Sequence, residues 1–154
     1  MPDTTAKVEN AAAIVWVSSG AAVATGAFST DTGSVALTST NLLRYPTADL
    51  VLQFGCTTTI ASTSQNVYVY KRAMNEGSAG TEDELAPGVS NKKGFVGSFI
   101  YGQTASAAAT GLTSVVENVD ISSGDCEFYL ENTIGQTITA GWIFTVRPRT
   151  LSAA

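Results

Sequence analysis

The chain has 154 residues, of which 8 are Lys or Arg, 13 are Asp or Glu and none is His, so its net charge is −5. Without histidine it has no Ser-His-Asp or Cys-His catalytic group and no imidazole metal site, and its acidic balance argues against nucleic acid as a partner. Charged residues are only 14% of the chain, whereas 21 Thr and 15 Ser supply most of its polarity. We therefore expect one domain with a surface rich in hydroxyl groups.

The chain begins with residues 1–30, which we expect to form an N-terminal arm or the first strands, ahead of a β-sandwich domain over residues 31–154. The first 12 residues and the last four are predicted to be tails. The small residues from Ala11 to Thr30 could lie against another backbone, in their own sheet or in a neighbour's. The longest apolar stretch, Ala11–Val17, is far short of the roughly 20 residues that cross a bilayer, and we see no secretory signal. We expect no membrane partner.

Most of the chain shows the two-residue period of half-buried strands. In Asn66–Arg72, for example, Val67 and Val69 alternate with Tyr68 and Tyr70. The predicted strands, in chain order, are Ala13–Val17, Val35–Thr38, Asp49–Cys56, Thr57–Ser62, Asn66–Arg72, Phe95–Tyr101, Leu112–Val119, Asp125–Glu131 and Trp142–Arg147. Glycine and proline turn signals separate them at intervals of about ten residues. This spacing predicts an all-β antiparallel sandwich, with the jelly roll as the natural topology.

Two segments carry helical or ambiguous signals. Thr81–Glu84 has the form of a capping box and predicts a single helical turn. The alanine-rich stretch Ala105–Thr110 fits either a loop or a turn of helix. Neither segment alters the all-β prediction.

The alternation also predicts which side chains face away from the core. It places Tyr68, Tyr70 and Tyr129 on outer faces, where they are core residues displaced by a bulge, a protein interface, or a carbohydrate-binding platform. Glu127 and Glu131 lie about 13–14 Å apart along one strand face, too far for a glycosidase pair. We expect both carboxylates to be solubilising or edge-protecting charges.

The longest connection, Ala73–Gly94, holds the densest group of charges. Its acidic residues, Glu76, Glu82, Asp83 and Glu84, predict a solvated loop or, as the alternative, a site for a hard cation such as Ca²⁺. Basic residues flank the connection and could pair with it or with a symmetry mate; they are Lys71, Arg72, Lys92 and Lys93. With the three tyrosines, Arg72, Lys92 and Lys93 form our predicted protein interface.

The remaining chemical candidates are weak. Cys56 and Cys126 lack the spacing of a zinc or redox motif, and we interpret them as buried thiols or as a single cross-strand disulfide. The chain contains no GxSxG, P-loop or GxGxxG motif. We expect no enzymatic activity, no metal site and no cofactor.

Three stretches resemble a known class of protein. Gly124–Pro148 (GDCEFYLENTIGQTITAGWIFTVRP), Leu50–Gly55 (LVLQFG) and Asn66–Asn75 (NVYVYKRAMN) are similar to the small β-rich virion proteins of tailed bacteriophages. The similarity is greatest to capsid decoration, or cement, proteins of the jelly-roll type. It implies a non-enzymatic homotrimer, made in the host cytoplasm, that binds the major capsid protein on the outside of the head and stabilises it. In such proteins an extended N-terminal arm is common, and Met1–Thr30 would be its counterpart.

Other classes of function also fit the pattern. One is a carbohydrate- or receptor-binding β module of a phage tail fibre, with Tyr68, Tyr70 and Tyr129 as stacking surfaces. Another is a structural subunit elsewhere in the virion, such as a small capsid or tail-tube protein.

Overall fold

Eight strands and no helix occur among the residues that the computed structural model describes, namely 6–10, 12–30, 45–60, 66–73, 86–101, 107–122 and 126–153. The strands are β1 (Ala6–Asn10), β2 (Ile14–Gly20), β3 (Thr47–Cys56), β4 (Asn66–Ala73), β5 (Phe95–Ile100), β6 (Ala107–Asp120), β7 (Cys126–Asn132) and β8 (Trp142–Ala153). They form two antiparallel sheets that pack face to face, so the predicted all-β sandwich is confirmed.

The first sheet has the order β1-β8-β3-β6, and β2 pairs with β8 on the same side as β1 but along a different part of that strand; the second sheet has the order β5-β4-β7. After β2 the chain crosses to the free side of β7, where the backbone N–H of Ser29 donates to the carbonyl of Leu130 (2.8 Å) and that of Asn132 donates to the carbonyl of Ala27 (3.0 Å). Residues 14–20 and 27–29, all within the predicted arm-or-strand segment 1–30, are therefore paired with the sandwich.

The core lies between the sheets and is filled by the faces that the alternation predicts. Its fully buried members on the strands include Leu50, Leu52, Phe54, Val67, Val69, Trp142, Phe144 and Val146, together with the nearly buried Phe128 and Leu130. Aromatic rings join the two sheets: Phe144 of the first contacts Phe99 (6.2 Å between ring centroids) and Phe128 (5.6 Å) of the second. Burying such side chains contributes about 1.5–3 kcal/mol each.

Several sequence predictions about element boundaries are wrong. Within the two predicted tails, residues 6–10 and 151–153 form strands, because β1 pairs with Arg149–Ala153 of β8, Lys7 lying opposite Ser152. Residues 57–60, the described part of the predicted strand Thr57–Ser62, do not continue β3; only Ile60 among them forms an isolated bridge. Residues 107–110 are neither loop nor helix but the start of β6, which pairs with β3 from Ala107 onwards. For residues 6–10, 107–110 and 151–153 a neighbouring strand decided the outcome, and local composition does not reveal the neighbour.

Two other predictions lie outside the described residues: the strand at Val35–Thr38 and the capping box at Thr81–Glu84.

A bulge bends β6 near its end. Ala48 lies opposite Val119 and Leu50 opposite Val116, so β6 has one more residue than β3 between these two pairs. Asn118 takes a left-handed conformation there, with φ of 57°, and its backbone N–H donates to Asp49 Oδ1 (3.2 Å). Arg149 Nη1 in turn donates to both Asp49 oxygens (2.9 and 2.8 Å). The bulge is thus fixed by a paired carboxylate and is a built feature of the strand.

Gly20 provides a test of this packing. A Cβ at Gly20 would lie 1.9 Å from the ring of Trp142, which is buried, whereas a Cβ at Gly88 would meet nothing within 4 Å. We expect Gly20→Ala to lower the free energy of unfolding by about 1–3 kcal/mol, because the ring has to shift within a packed core. Gly88→Ala is the matched control and is expected to change it by less than about 0.5 kcal/mol. Urea denaturation followed by circular dichroism measures both, and equal losses would contradict the packing described here.

Candidate functional site: the outer face of the second sheet

The outer face of the second sheet, away from the core, brings together most of the predicted interface residues. Tyr68, Tyr70 and Arg72 project from β4, and their partners across the antiparallel ladder on β7 are, in the same order, Glu131, Tyr129 and Glu127. The alternation of both strands places these six side chains on one face because β4 and β7 pair in register along their lengths.

This face is largely buried, which corrects the prediction for its charges. Only 5% of Glu127 and 4% of Glu131 is exposed, so neither is a solubilising or edge-protecting charge. Tyr70 and Tyr129 are buried as well, at 4% and 7% exposed. Every residue of β7 is buried on both faces of the strand. Part of the cover is Phe28, which lies opposite Glu131 and packs on the Tyr70 ring at 5.3 Å between centroids.

The polar side chains of this face pair with one another in a group that we call the polar cluster, made of Tyr70, Arg72, Lys92, Glu127, Tyr129 and Glu131, of which only Lys92 is exposed. Arg72 forms an ion pair with Glu127, which also accepts a hydrogen bond from the Tyr129 hydroxyl (2.7 Å). Lys92 forms an ion pair with Glu131, which also accepts one from the Tyr70 hydroxyl (2.7 Å). Two cations face two carboxylates, so the cluster has no net charge.

The electrostatics keep Tyr70 a hydrogen-bond donor. Burial, reinforced by the hydrogen bond to Glu131 and by the charge of that carboxylate, raises the pKa of Tyr70 above its ordinary value. Its hydroxyl therefore stays protonated at neutral pH and continues to donate.

The basic residues have partners other than those proposed from sequence. Arg72 and Lys92 pair with β7, and Lys71 Nζ donates to the carbonyl of Asp120 (2.7 Å). Lys93 is exposed. Because Lys92 lies beyond β4 in the loop that leads into β5, its ion pair fastens that loop to the sheet. The predicted acidic residues of the loop, Glu76, Glu82, Asp83 and Glu84, lie outside the described residues.

Beside the polar cluster, the same face exposes large apolar side chains. Phe95 is 56% and Ile100 68% exposed, and the half-buried Tyr68 meets Phe95 edge to face with ring centroids 5.8 Å apart. Phe95 also contacts the Tyr70 ring at 5.7 Å. We call Tyr68, Phe95 and Ile100 the aromatic patch. Of these three, sequence reasoning had singled out only Tyr68.

The two other residues were missed for different reasons. Ile100 follows the buried Phe99, so strict alternation along β5 could have placed it outside. Phe95 could not be found in that way, because alternation from Phe99 puts it in the core. A register shift in the β4–β5 ladder, between Val69 and Tyr70 of β4, turns the Phe95 side chain to the outer face. The sequence contains no pattern that predicts this bulge.

The cysteines are free thiols, and both are buried. Cys126 starts β7 opposite Ala73, whereas Cys56 bridges to Ile138, which follows the other end of β7. The seven-residue strand is about 20 Å long, and a disulfide needs Cα atoms within about 7 Å. The disulfide alternative is therefore wrong. Within the described residues no three His, Cys, Asp or Glu side chains are grouped so that they could hold a metal ion.

Comparisons of the chain with protein-family models, with curated proteins and with solved structures found no match. Among the described residues, no helix has the length and apolar character needed to span a membrane.

Proposed function

We propose that this chain is a structural protein of a bacteriophage virion, a capsid decoration or cement protein that stabilises the head by binding the major capsid protein. The observation that carries the proposal is the aromatic patch: two large apolar side chains, Phe95 and Ile100, are more than half exposed beside a sheet face that is otherwise buried and paired. Aromatic residues on a rigid support are the usual anchors of protein interfaces. The proposal places the protein on the capsid surface.

A fixed side chain supports the aromatic patch, which suits a protein that binds its partner through a large contact area. Tyr70 is held by Glu131 and packs against Phe95, so the patch rests on a side chain that is itself fixed. Because this side chain is already ordered, the protein loses little conformational entropy when a partner covers the patch, which favours affinity. A standard interface buries about 800 Å² on each partner, and several linked copies on a symmetric lattice would bind more tightly than one. The trimer implied by the resemblance is part of the proposal for that reason.

The strand order supports the jelly-roll form of the proposal. The chain passes from β2 in the first sheet to β7's free side in the second, then to β3 in the first and β4 and β5 in the second. It returns to the first sheet for β6, to the second for β7 and to the first for β8. Such repeated crossing between two sheets is typical of jelly rolls.

A carbohydrate- or receptor-binding module is the second candidate, favoured by the edge-to-face pair Tyr68–Phe95. Exposed aromatic rings can stack on sugars as well as on protein. Because Tyr70 and Tyr129 are buried, only Tyr68 of the three predicted stacking residues remains accessible for this role.

Co-sedimentation with heads assembled from the source's major capsid protein tests the proposal. We expect the unmodified chain to pellet with the heads and the Phe95→Ala/Ile100→Ala variant to bind at least about 30-fold more weakly, as loss of a hot spot does. Val15→Ala/Val115→Ala is the control, since those side chains are also exposed but lie on strands of the first sheet; it should bind normally. Failure of the unmodified chain to pellet, or equal binding by both variants, would contradict the proposal. Glycan-array binding that depends on Phe95 would favour the second candidate instead.

A further inference from the structure

The connection that leads into β5 contains a tight turn with an apolar side chain at its tip. Gly88 and Asn91 form an isolated antiparallel bridge, in which each backbone N–H donates to the other residue's carbonyl (2.8 and 3.0 Å). Only Val89 and Ser90 lie between them. Val89 is 72% exposed, the highest value among the large apolar side chains in the described part of the chain. We call Gly88–Asn91 the valine turn.

Valine is unusual at the tip of such a turn. The other residues of the stretch Pro87–Asn91 are proline, glycine, serine and asparagine, each of which favours a turn, whereas a β-branched apolar residue favours a strand. Natural sequences depart from such local rules mainly where a residue serves a function. Val89 is therefore a candidate binding residue.

Two contacts fix the valine turn to the second sheet. Lys92, the next residue in the chain, forms an ion pair with Glu131 of β7. The carbonyl of Gly94 accepts a hydrogen bond from the backbone N–H of Lys71 in β4 (2.7 Å). Val89 is thus presented on a support that is ordered before a partner binds, which lowers the entropic cost of binding.

The valine turn adjoins the aromatic patch. Glu131, to which Lys92 binds, lies opposite Tyr68 of the patch in the β4–β7 ladder, and Phe95 of the patch begins the strand into which the turn leads. Five large apolar side chains are exposed among the described residues, and three of them lie within residues 89–100. Single exposed apolar residues are ordinary on a protein surface, but a concentration of them marks an interaction site.

We propose that the valine turn is a second anchor of the interface with the major capsid protein, and that Val89 enters an apolar recess on that protein, beside the region that covers the aromatic patch. The inference deepens the proposed function and rests on it. A side chain at the tip of a turn buries most of its surface only in a recess, because a flat partner would contact it on one side alone. The recess is therefore the shape that the partner has to supply.

The aliphatic character of Val89 selects protein as the partner. Sugars are held by stacking on aromatic rings and by hydrogen bonds to polar groups, and a valine side chain provides neither. Its two methyl groups gain free energy when they leave water for an apolar surface. The turn thus distinguishes a protein interface from the carbohydrate-binding alternative, which the aromatic patch alone does not.

Co-sedimentation of variants of the full chain with heads assembled from the source's major capsid protein tests the inference. We expect Val89→Ala to bind about 10-fold more weakly, because two methyl groups are lost from the recess. Val89→Thr keeps the shape but places a hydroxyl without a partner in the recess, so we expect a similar loss. Val15→Ala and Val15→Thr are the matched controls, since Val15 is 57% exposed but lies on β2 of the first sheet; both should bind like the unmodified chain.

The outcomes separate this inference from the proposed function. Failure of the unmodified chain to pellet overturns the proposed function and the inference with it. If the unmodified chain pellets, normal binding by either Val89 variant, or an equal loss in the Val15 controls, overturns the inference alone. The midpoint of urea denaturation should be the same for all these chains, because both valines are exposed. Weak binding that accompanies a lowered midpoint in the Val89 variants would also contradict a direct contact.

Discussion

Replacing Arg72 by methionine is expected to lower the free energy of unfolding by about 3–5 kcal/mol. Arg72 is the cation of a nearly buried ion pair, with side-chain exposures of 11% for Arg72 and 7% for Glu127. Methionine keeps much of the volume but leaves the Glu127 carboxylate inside without its positive partner, and an uncompensated buried charge is the main source of such losses. The guanidinium also lies over the Tyr129 ring, 5.6 Å from its centroid, which adds a smaller contribution. Urea denaturation followed by circular dichroism measures the change.

Two further variants separate the charge effect from a general sensitivity of β4. Arg147→Met makes the same replacement at an exposed arginine of β8 and should change stability by less than about 0.5 kcal/mol. The triple variant Arg72→Met/Glu127→Leu/Tyr129→Phe removes both charges and the hydroxyl that donates to Glu127. We expect it to recover most of the loss, since apolar replacement of a whole buried ion pair is often neutral. A triple variant as unstable as Arg72→Met would show that the loss is one of packing.

The core could be predicted from sequence because burial on one face of a strand leaves a two-residue period. The alternation of Val67 and Val69, and of Trp142, Phe144 and Val146, identified side chains that are fully or almost fully buried. For β4 and β5 the predicted boundaries differ by one residue from those observed. These features depend on the strand's own residues and on a single apolar layer packed against one face of the strand. Alternation in the sequence reports that kind of one-sided burial.

The outer face of the second sheet could be predicted only in part. Parity placed Tyr70, Tyr129, Glu127 and Glu131 together on one face, as observed, but gave no sign that this face is buried. Burial of two carboxylates requires cations at matched positions, and Lys92 reaches Glu131 from 39 residues away in the chain. Long-range pairing of this kind has no local pattern. The same is true of Phe95, because its exposure depends on a bulge where β5 pairs with β4.

Truncating Trp142 to alanine is expected to cost about 3–5 kcal/mol, the second large effect. Trp142 is 1% exposed, lies against Gly20 and donates its indole N–H to the carbonyl of Ala21 (2.7 Å). Removing the ring leaves a cavity between the sheets that the surrounding strands can only partly fill.

A matched pair of milder substitutions separates the cavity from the hydrogen bond. Trp16 is also buried, but among the described residues its indole nitrogen has no hydrogen-bond partner. Trp→Phe at either position removes a similar volume, whereas only Trp142→Phe breaks a hydrogen bond. We expect Trp142→Phe to be less stable than Trp16→Phe by about 1–2 kcal/mol, measured by urea denaturation with circular dichroism. Equal losses would mean that the bond to Ala21 contributes nothing, and that Trp142 stabilises the sandwich by packing alone.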